Sequence, residues 1–152
     1  MAMTTVHGTC LVVATTGLLL RGPSGSGKSD LALRTIHEGS ARLVADDQVL
    51  LERTADGGLR GSAPAILAGR IEARGIGILE IDHAGPWRID AVVDLVPRDK
   101  VERMPQAQHT ELMGVMLPRY HLHAFDASAP ARLSLIARCC GANNLGESGN
   151  GP

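Results

Sequence analysis

Aromatic side chains are nearly missing from this chain. Trp87, Tyr120 and Phe125 are the whole set, 2% of 152 residues. The core must therefore be aliphatic, and an aromatic stacking surface for single-stranded nucleic acid is excluded. Charge of one sign is missing too: 15 Lys and Arg stand against 16 Asp and Glu, for a net charge of −1 at pH 7. Without a basic stripe there is no electrostatic footprint for DNA or RNA. No apolar run approaches the ~20 residues of a membrane span. The opening Met1-Ala-Met-Thr-Thr-Val-His7 lacks the charged and apolar regions of a secretory signal. The cysteines Cys10, Cys139 and Cys140 are odd in number and form no C-x-x-C spacing, which argues against a disulfide framework and against a zinc site. The expectation is a reduced, cytoplasmic protein.

What is present is ordinary in bulk, with 44% hydrophobic and 20% charged residues, and the length suits one domain. We expect that domain to span residues 1–140, with the Gly- and Asn-rich stretch 141–152 as a disordered tail.

The most informative segment is Gly22-Pro23-Ser24-Gly25-Ser26-Gly27-Lys28-Ser29, which satisfies the G-x-x-x-x-G-K-[ST] phosphate-binding pattern. Leu18-Leu19-Leu20 before it suits a buried strand, and Asp30-Leu-Ala-Leu-Arg-Thr-Ile-His37 after it suits a helix. In that context the glycines let backbone N–H groups face phosphate oxygens, and the helix N-terminus adds its positive dipole end. Lys28 would reach the terminal phosphates and the Ser29 hydroxyl would bind Mg²⁺. The chain is thus expected to bind ATP or a molecule of that shape.

Further strands are expected at Thr9–Ala14, Gly17–Leu20, Arg42–Ala45 and Arg88–Val96, with a hairpin turn at Asp56-Gly57-Gly58. A helix is expected to start near Ala129 with Pro130 in its first turn and to reach Cys139. The polar, proline-bearing stretch Pro97–His109 reads as a mobile surface segment.

A phosphate loop that transfers its phosphoryl group needs a carboxylate near the γ-phosphate. Asp46-Asp47, at the end of Leu43-Val44-Ala45, meets that need; a turn or helix cap is the plainer alternative. Glu72 and Arg74, two apart, would share one face of a strand and offer a carboxylate for metal and a guanidinium for phosphoryl charge. An exposed ion pair is the equal alternative. His121 and His123 sit at strand spacing but lack a third ligand nearby in sequence.

Four segments in this order resemble the catalytic domain of the HPr kinase/phosphorylase family: Val6-His7-Gly8, Gly22 to Leu33, Arg42-Leu-Val-Ala-Asp-Asp47-Gln-Val49, and Ile71-Glu-Ala-Arg-Gly-Ile-Gly-Ile78. The resemblance runs from about Val6 to Arg138. It implies an α/β phosphate-loop domain with a mixed sheet, similar to the nucleotide-binding core of phosphoenolpyruvate carboxykinase. It further implies an ATP- and Mg²⁺-dependent serine kinase acting on the phosphocarrier protein HPr, with phosphorolysis of the seryl phosphate as a second activity, assembled as a homo-hexamer. Carried over residue by residue, Asp46 matches the general base, and His7 and Arg74 match residues that position phosphate and that aspartate. Ser29 and Glu72 match metal-associated positions that Asp47 supports. Arg119, in Leu117-Pro-Arg-Tyr120, falls where the family carries an arginine in a C-terminal active-site loop. The chain departs from the family in three places. It looks like the short form without the N-terminal domain, Glu38-Gly-Ser-Ala-Arg42 lacks the usual Gly-His, and Leu117 to His123 replaces a Pro-Gly-Arg-Asn-like loop. From the residues alone a small-molecule kinase, or a module that senses ATP without transferring phosphate, remains an alternative.

Overall fold

Strands covered on both faces read as unbroken apolar runs, and this sequence has two of them side by side. The computed structural model describes residues 2–148. The chain begins with β1 (Met3–His7), β2 (Thr9–Val13) and β3 (Thr16–Arg21). It turns through the glycine loop into helix α1 (Lys28–His37) and returns as β4 (Ala41–Ala45). Two hairpins follow, β5 (Gln48–Arg53) with β6 (Leu59–Ser62), then β7 (Arg70–Ala73) with β8 (Gly77–Glu80). The short β9 (Trp87–Arg88) and β10 (Ala91–Leu95) lead to β11 (Gln108–Leu112), β12 (Val115–Leu122) and helix α2 (Ala129–Ser148).

The main sheet has the order β11-β12-β10-β3-β2-β4. It is mixed: β12, β10 and β3 are parallel, while β2 runs antiparallel to both β3 and β4. It follows that β3, β4, β10 and β12 all point the same way. A second, antiparallel sheet has the order β1-β5-β6-β9, and β7 with β8 forms a separate two-stranded ribbon.

Side chains alternate across the main sheet and sort into two aliphatic layers. Leu11, Val13, Leu18, Leu20 and Val93 face α1 and α2, meeting Leu31, Leu133 and Ile136. Cys10, Val12, Leu19 and Val92 face the second sheet, meeting Val49, Leu51 and Leu59. Each fully buried leucine contributes roughly 1.5–3 kcal/mol, so aliphatic burial carries the fold as the shortage of aromatics requires. Burial, with a smaller push from the Asp90 charge, raises the Cys10 thiol to about 12. It is a packing group and not a reactive thiol.

Three expectations need correction. The segment Leu117 to His123, expected as a loop, is strand to Leu122, hydrogen-bonded to β10 on one side and β11 on the other. Pro118 has no N–H to give, which disfavours an interior position; it pairs with His109 of β11 and lies just before Arg119, where the pairing with β10 begins. The stretch expected as mobile is accordingly irregular only as far as Ala107, beyond which Gln108 opens β11. Helix α2 also continues past Cys139 to Ser148. Its buried face, Leu133, Ile136, Ala137 and Cys140, anchors it to the core, and its two internal glycines, Gly141 and Gly146, cost only ~1 kcal/mol each. Residues 149–152 of the expected tail lie outside the described residues.

Under the phosphate-loop edge lies a buried charge cluster. Arg21, the last residue of β3, grips Asp94 of β10 with two hydrogen bonds of 2.7 and 2.9 Å. Arg119 of β12 donates to the same carboxylate from the other side. Burial alone would raise the Asp94 carboxyl, but the hydrogen bonds and charges of Arg21 and Arg119 outweigh it and hold the group below the ordinary carboxylate range. A carboxyl with a depressed native pKa adds stability above its unfolded value, near ~4, and loses it as pH falls through the native value. Asp94→Asn should therefore cost roughly 2 kcal/mol at pH 7. The gap to the wild type should begin to close as pH falls below about 4, where the unfolded carboxyl takes up a proton, and should be gone once pH lies below the native value. Urea unfolding of both proteins between pH 7 and pH 3 checks this, and a gap independent of pH would refute it.

Candidate active site

At the common end of β3 and β4 the chain supplies its charged residues. The loop Gly22–Gly27 leaves β3, and Gly25 and Gly27 adopt φ of 82° and 96°, which lets successive N–H groups turn inward. A turn closed by the Ser26 N–H on the Pro23 carbonyl at 3.0 Å shapes it. Helix α1 starts with Gly27 as its N-cap, and no side chain caps it. The free N–H groups of its first turn and its dipole are left for an anion.

Two further observations fit a polyphosphate here. A Cβ at Gly25 would meet nothing within 4 Å, so the loop backbone borders open space. The Ser26 hydroxyl is buried without a partner among the described residues, an unusual cost unless a ligand satisfies it. Lys28 is largely buried, and its ammonium donates to the carbonyls of Gly22 at 2.6 Å and Pro23 at 3.1 Å. Burial lowers its pKa, and the charges of Asp46 and Asp47 offset only part of that. A partly desolvated ammonium with a third donor in hand is suited to receive a phosphate oxygen.

Asp46 is buried at the end of β4, beneath the cleft. Its Oδ1 accepts from the Ser29 hydroxyl at 2.7 Å and from the Thr9 hydroxyl at 2.9 Å. Its Oδ2 accepts a long bond of 3.4 Å from the backbone N–H of Glu72. Asp47 stands next to it with φ of 71°, in a tight turn closed by the Gln48 N–H on the Asp46 carbonyl at 2.9 Å. Such a three-residue turn is rare and strained, and strain of about 1–3 kcal/mol is tolerated only where the surroundings enforce it. The Gly8 N–H does so, donating to the Asp47 carbonyl at 3.1 Å. The consequence is that both carboxylates serve one site, whereas a regular strand would send them to opposite faces. His7 Nε2 lies 3.2 Å from Asp47 Oδ1.

The ribbon of β7 and β8 closes one side. Ile71 and Ala73 turn into the protein while Glu72 and Arg74 face outward, and both of the latter line the cleft. The cleft has a volume of about 450 Å³ and is bordered by His7, Thr9, Lys28, Ser29, Asp47 and Phe125 as well. Ser29, Asp46, Asp47 and Glu72 form an oxygen-only donor set, the kind that suits Mg²⁺. Among the described residues no three His, Cys, Asp or Glu side chains converge on one point.

Of the residues expected at the site, the structure brings together the whole loop Gly22–Ser29 with His7, Asp46, Asp47, Glu72 and Arg74. It does not bring Arg119. That side chain leaves β12 toward Asp94 and borders a separate open cleft with Arg98, His121 and Arg132. Thr9 was missed by sequence reasoning. Its one signal was a lone hydroxyl heading the apolar run Cys10–Val13, and strand pairing then sets it beside Asp46.

Comparison with known proteins agrees with this geometry. Residues 1–134 match the family model described as the HPr serine kinase C-terminal domain. The HPr kinase/phosphorylase of Bordetella pertussis is 42% identical over 120 residues, covering 72% of this chain and 39% of that protein. That of Peptoclostridium acidaminophilum is 40% identical over 114 residues, covering 73% of this chain and 36% of its own. The chain thus spans about two fifths of the length of the curated relatives it matches. The HPr(Ser) kinase/phosphatase from Coxiella burnetii superposes with a TM-score of 0.82, over 93% of this chain and 99% of that one, at 24% identity. With the phosphate loop, the paired aspartates and the β7–β8 ribbon in place, the chain belongs to the HPr serine kinase C-terminal domain family.

Proposed function

We propose that this domain is an ATP-dependent protein-serine kinase whose acceptor is the phosphocarrier protein HPr. The observation that carries the reading is the hydrogen bond of 2.7 Å between Ser29 of the phosphate loop and the buried Asp46. It sets a carboxylate at the place where the terminal phosphate of a donor held by the loop must lie. A sensor that only binds ATP has no use for a base there.

The residues divide the chemistry among themselves. The loop N–H groups and Lys28 orient the donor and offset its charge, which is most of what phosphoryl transfer asks of a protein. Asp46 already receives two donors on Oδ1 but only one long contact on Oδ2, so that oxygen retains hydrogen-bonding capacity for an acceptor hydroxyl. The serine O–H proton passes to Asp46 as the serine oxygen bonds to the γ-phosphorus; the bond from that phosphorus to the bridging oxygen breaks, and ADP leaves with its charge offset by the loop N–H groups and Lys28. In the reverse, phosphorolytic direction protonated Asp46 returns that proton to the serine oxygen while inorganic phosphate takes the phosphoryl group. Arg74 and His7 face the same space and balance charge on the transferred group. Mg²⁺, held by Ser29, Asp47 and Glu72, would supply further neutralisation between the phosphates. The composition and the family resemblance support a cytoplasmic homo-oligomer that binds neither nucleic acid nor membrane. No helix among the described residues is long and apolar enough to cross a membrane.

Label from γ-³²P-ATP should appear on purified HPr and not on an HPr variant lacking its regulatory serine. ATP bound without any label transfer would sink the kinase reading. Asp46→Ala should retain nucleotide binding and lose transfer by roughly 10²–10⁴-fold, the usual worth of a positioned base. Thr9→Val, nearly isosteric, should lower kcat about tenfold at unchanged KM for ATP, the order expected when a hydrogen bond to a charged group is lost. Thr9→Ser should restore it, and no rescue would mean that the methyl packing matters and the hydroxyl does not.

A further inference from the structure

Phe125 is the one phenylalanine of the chain, and it is 56% exposed at the mouth of the cleft. Its loop, between β12 and α2, is held fast. The Arg34 guanidinium on α1 donates to the carbonyls of Ala124 and Asp126, the two residues that flank Phe125. The Asp126 carboxylate is gripped by Arg98 at 2.7 Å, with Arg132 at 3.7 Å. On the ring's other side His123 meets it edge-on, the centroids 5.8 Å apart, and His123 Nδ1 lies 3.0 Å from the Val96 carbonyl. The ring also rests on the phosphate loop: a Cβ at Gly27 would come within 3.0 Å of it. Three separate anchors thus fix an apolar ring where water would cover it, an arrangement that hydrophobic burial alone does not favour.

Strand order gives the ring its place along a ligand. Asp46 follows β4 at one side of β3, and Phe125 follows β12 at the other, with the phosphate loop between them. A polyphosphate lying on the loop with its reacting end toward Asp46 therefore has its opposite end toward Phe125. In a nucleoside triphosphate that end carries the base. Leu33 and Asp30 of α1 border the cleft as well.

We propose that Phe125 is the platform on which the nucleobase stacks, carried on a loop whose backbone carbonyls Arg34 holds. The inference rests on the nucleotide reading of the site. A phenyl ring offers a π-face and no hydrogen bond, so it takes any base of sufficient area and prefers purines by their size.

Isothermal titration of ATP and of inorganic tripolyphosphate, against wild type, Phe125→Ala and Phe125→Leu, tests it. Phe125→Ala should bind ATP about tenfold more weakly, within the range for one base on one aromatic ring. Its affinity for tripolyphosphate should not change. Phe125→Leu keeps apolar bulk against Gly27 and should show the same split, which guards against a collapsed loop. Equal loss of both ligands in either variant, or no loss of ATP affinity, would overturn the platform. A wild type that binds tripolyphosphate as tightly as ATP would also remove it while leaving the phosphate site intact. A wild type that binds neither would remove the nucleotide reading, and the platform with it.

Discussion

Four strands of the main sheet, β3, β4, β10 and β12, end on one edge, and each ends in a segment that meets a charged or polar partner there. The phosphate loop follows β3, Asp46 and Asp47 follow β4, and the loop of Phe125 follows β12. Open α/β sheets place ligands outside the carboxyl ends of their strands because chain reversals there leave backbone groups and side chains free of the core. The strand β2 sharpens the arrangement. Running antiparallel between β3 and β4, it brings its beginning to the edge where theirs end, so Thr9 reaches Asp46 and Gly8 reaches Asp47. A parallel β2 would have delivered its far end, and Asp46 would lack one of its donors.

Buried charge is costly unless it is matched, and the site matches it by alternating signs in depth. Asp94 is buried between Arg21 and Arg119. Arg21 leads directly into Gly22, so the loop grows from a residue whose side chain is already fixed. Lys28 comes next, partly desolvated, with Asp46 and Asp47 acting back on it. The strained turn at Asp47 belongs to the same logic. A relaxed extended residue would aim its carboxylate away from His7 and leave Lys28 facing one aspartate fewer.

Much of this was legible in the sequence because it is local. The phosphate loop declares itself in eight residues, and the hairpin at Asp56-Gly57-Gly58 in three. Glu72 and Arg74 could be placed on one face from a two-residue period, and the structure sets both toward the cleft. What the sequence concealed depends on distant partners. Strand β12 carries a proline that local rules read as a break, and its pairing with β11, with that of the following residues on β10, overrides it. Strand β1 has outward-facing residues and gains its identity from pairing with β5. Thr9 looks like one more β-branched residue until the register of β2 on β4 places its hydroxyl beside Asp46. Helix α2 passes the glycine that suggested its end because its stability comes from the face it buries, not from propensity at one position.

Arg119 shows how a family pattern and physical placement can part. An arginine on a flexible loop could reach an active site. In the fold Arg119 lies on an interior strand, and a guanidinium bonded to a buried carboxylate is not free to swing to a phosphate. Withdrawing it would leave Asp94 with one partner fewer in a partly desolvated setting. The loop that does reach the cleft from this side is 123–128, and it brings Phe125, a ring without charge. Among the residues that line the cleft, positive charge for a transferring phosphoryl group therefore comes from Lys28 and Arg74, with His7 when protonated. On the proposed reading the catalytic cations come from the loop after β3 and the β7–β8 ribbon, and the β12 side supplies the surface for the part of the nucleotide that does not react.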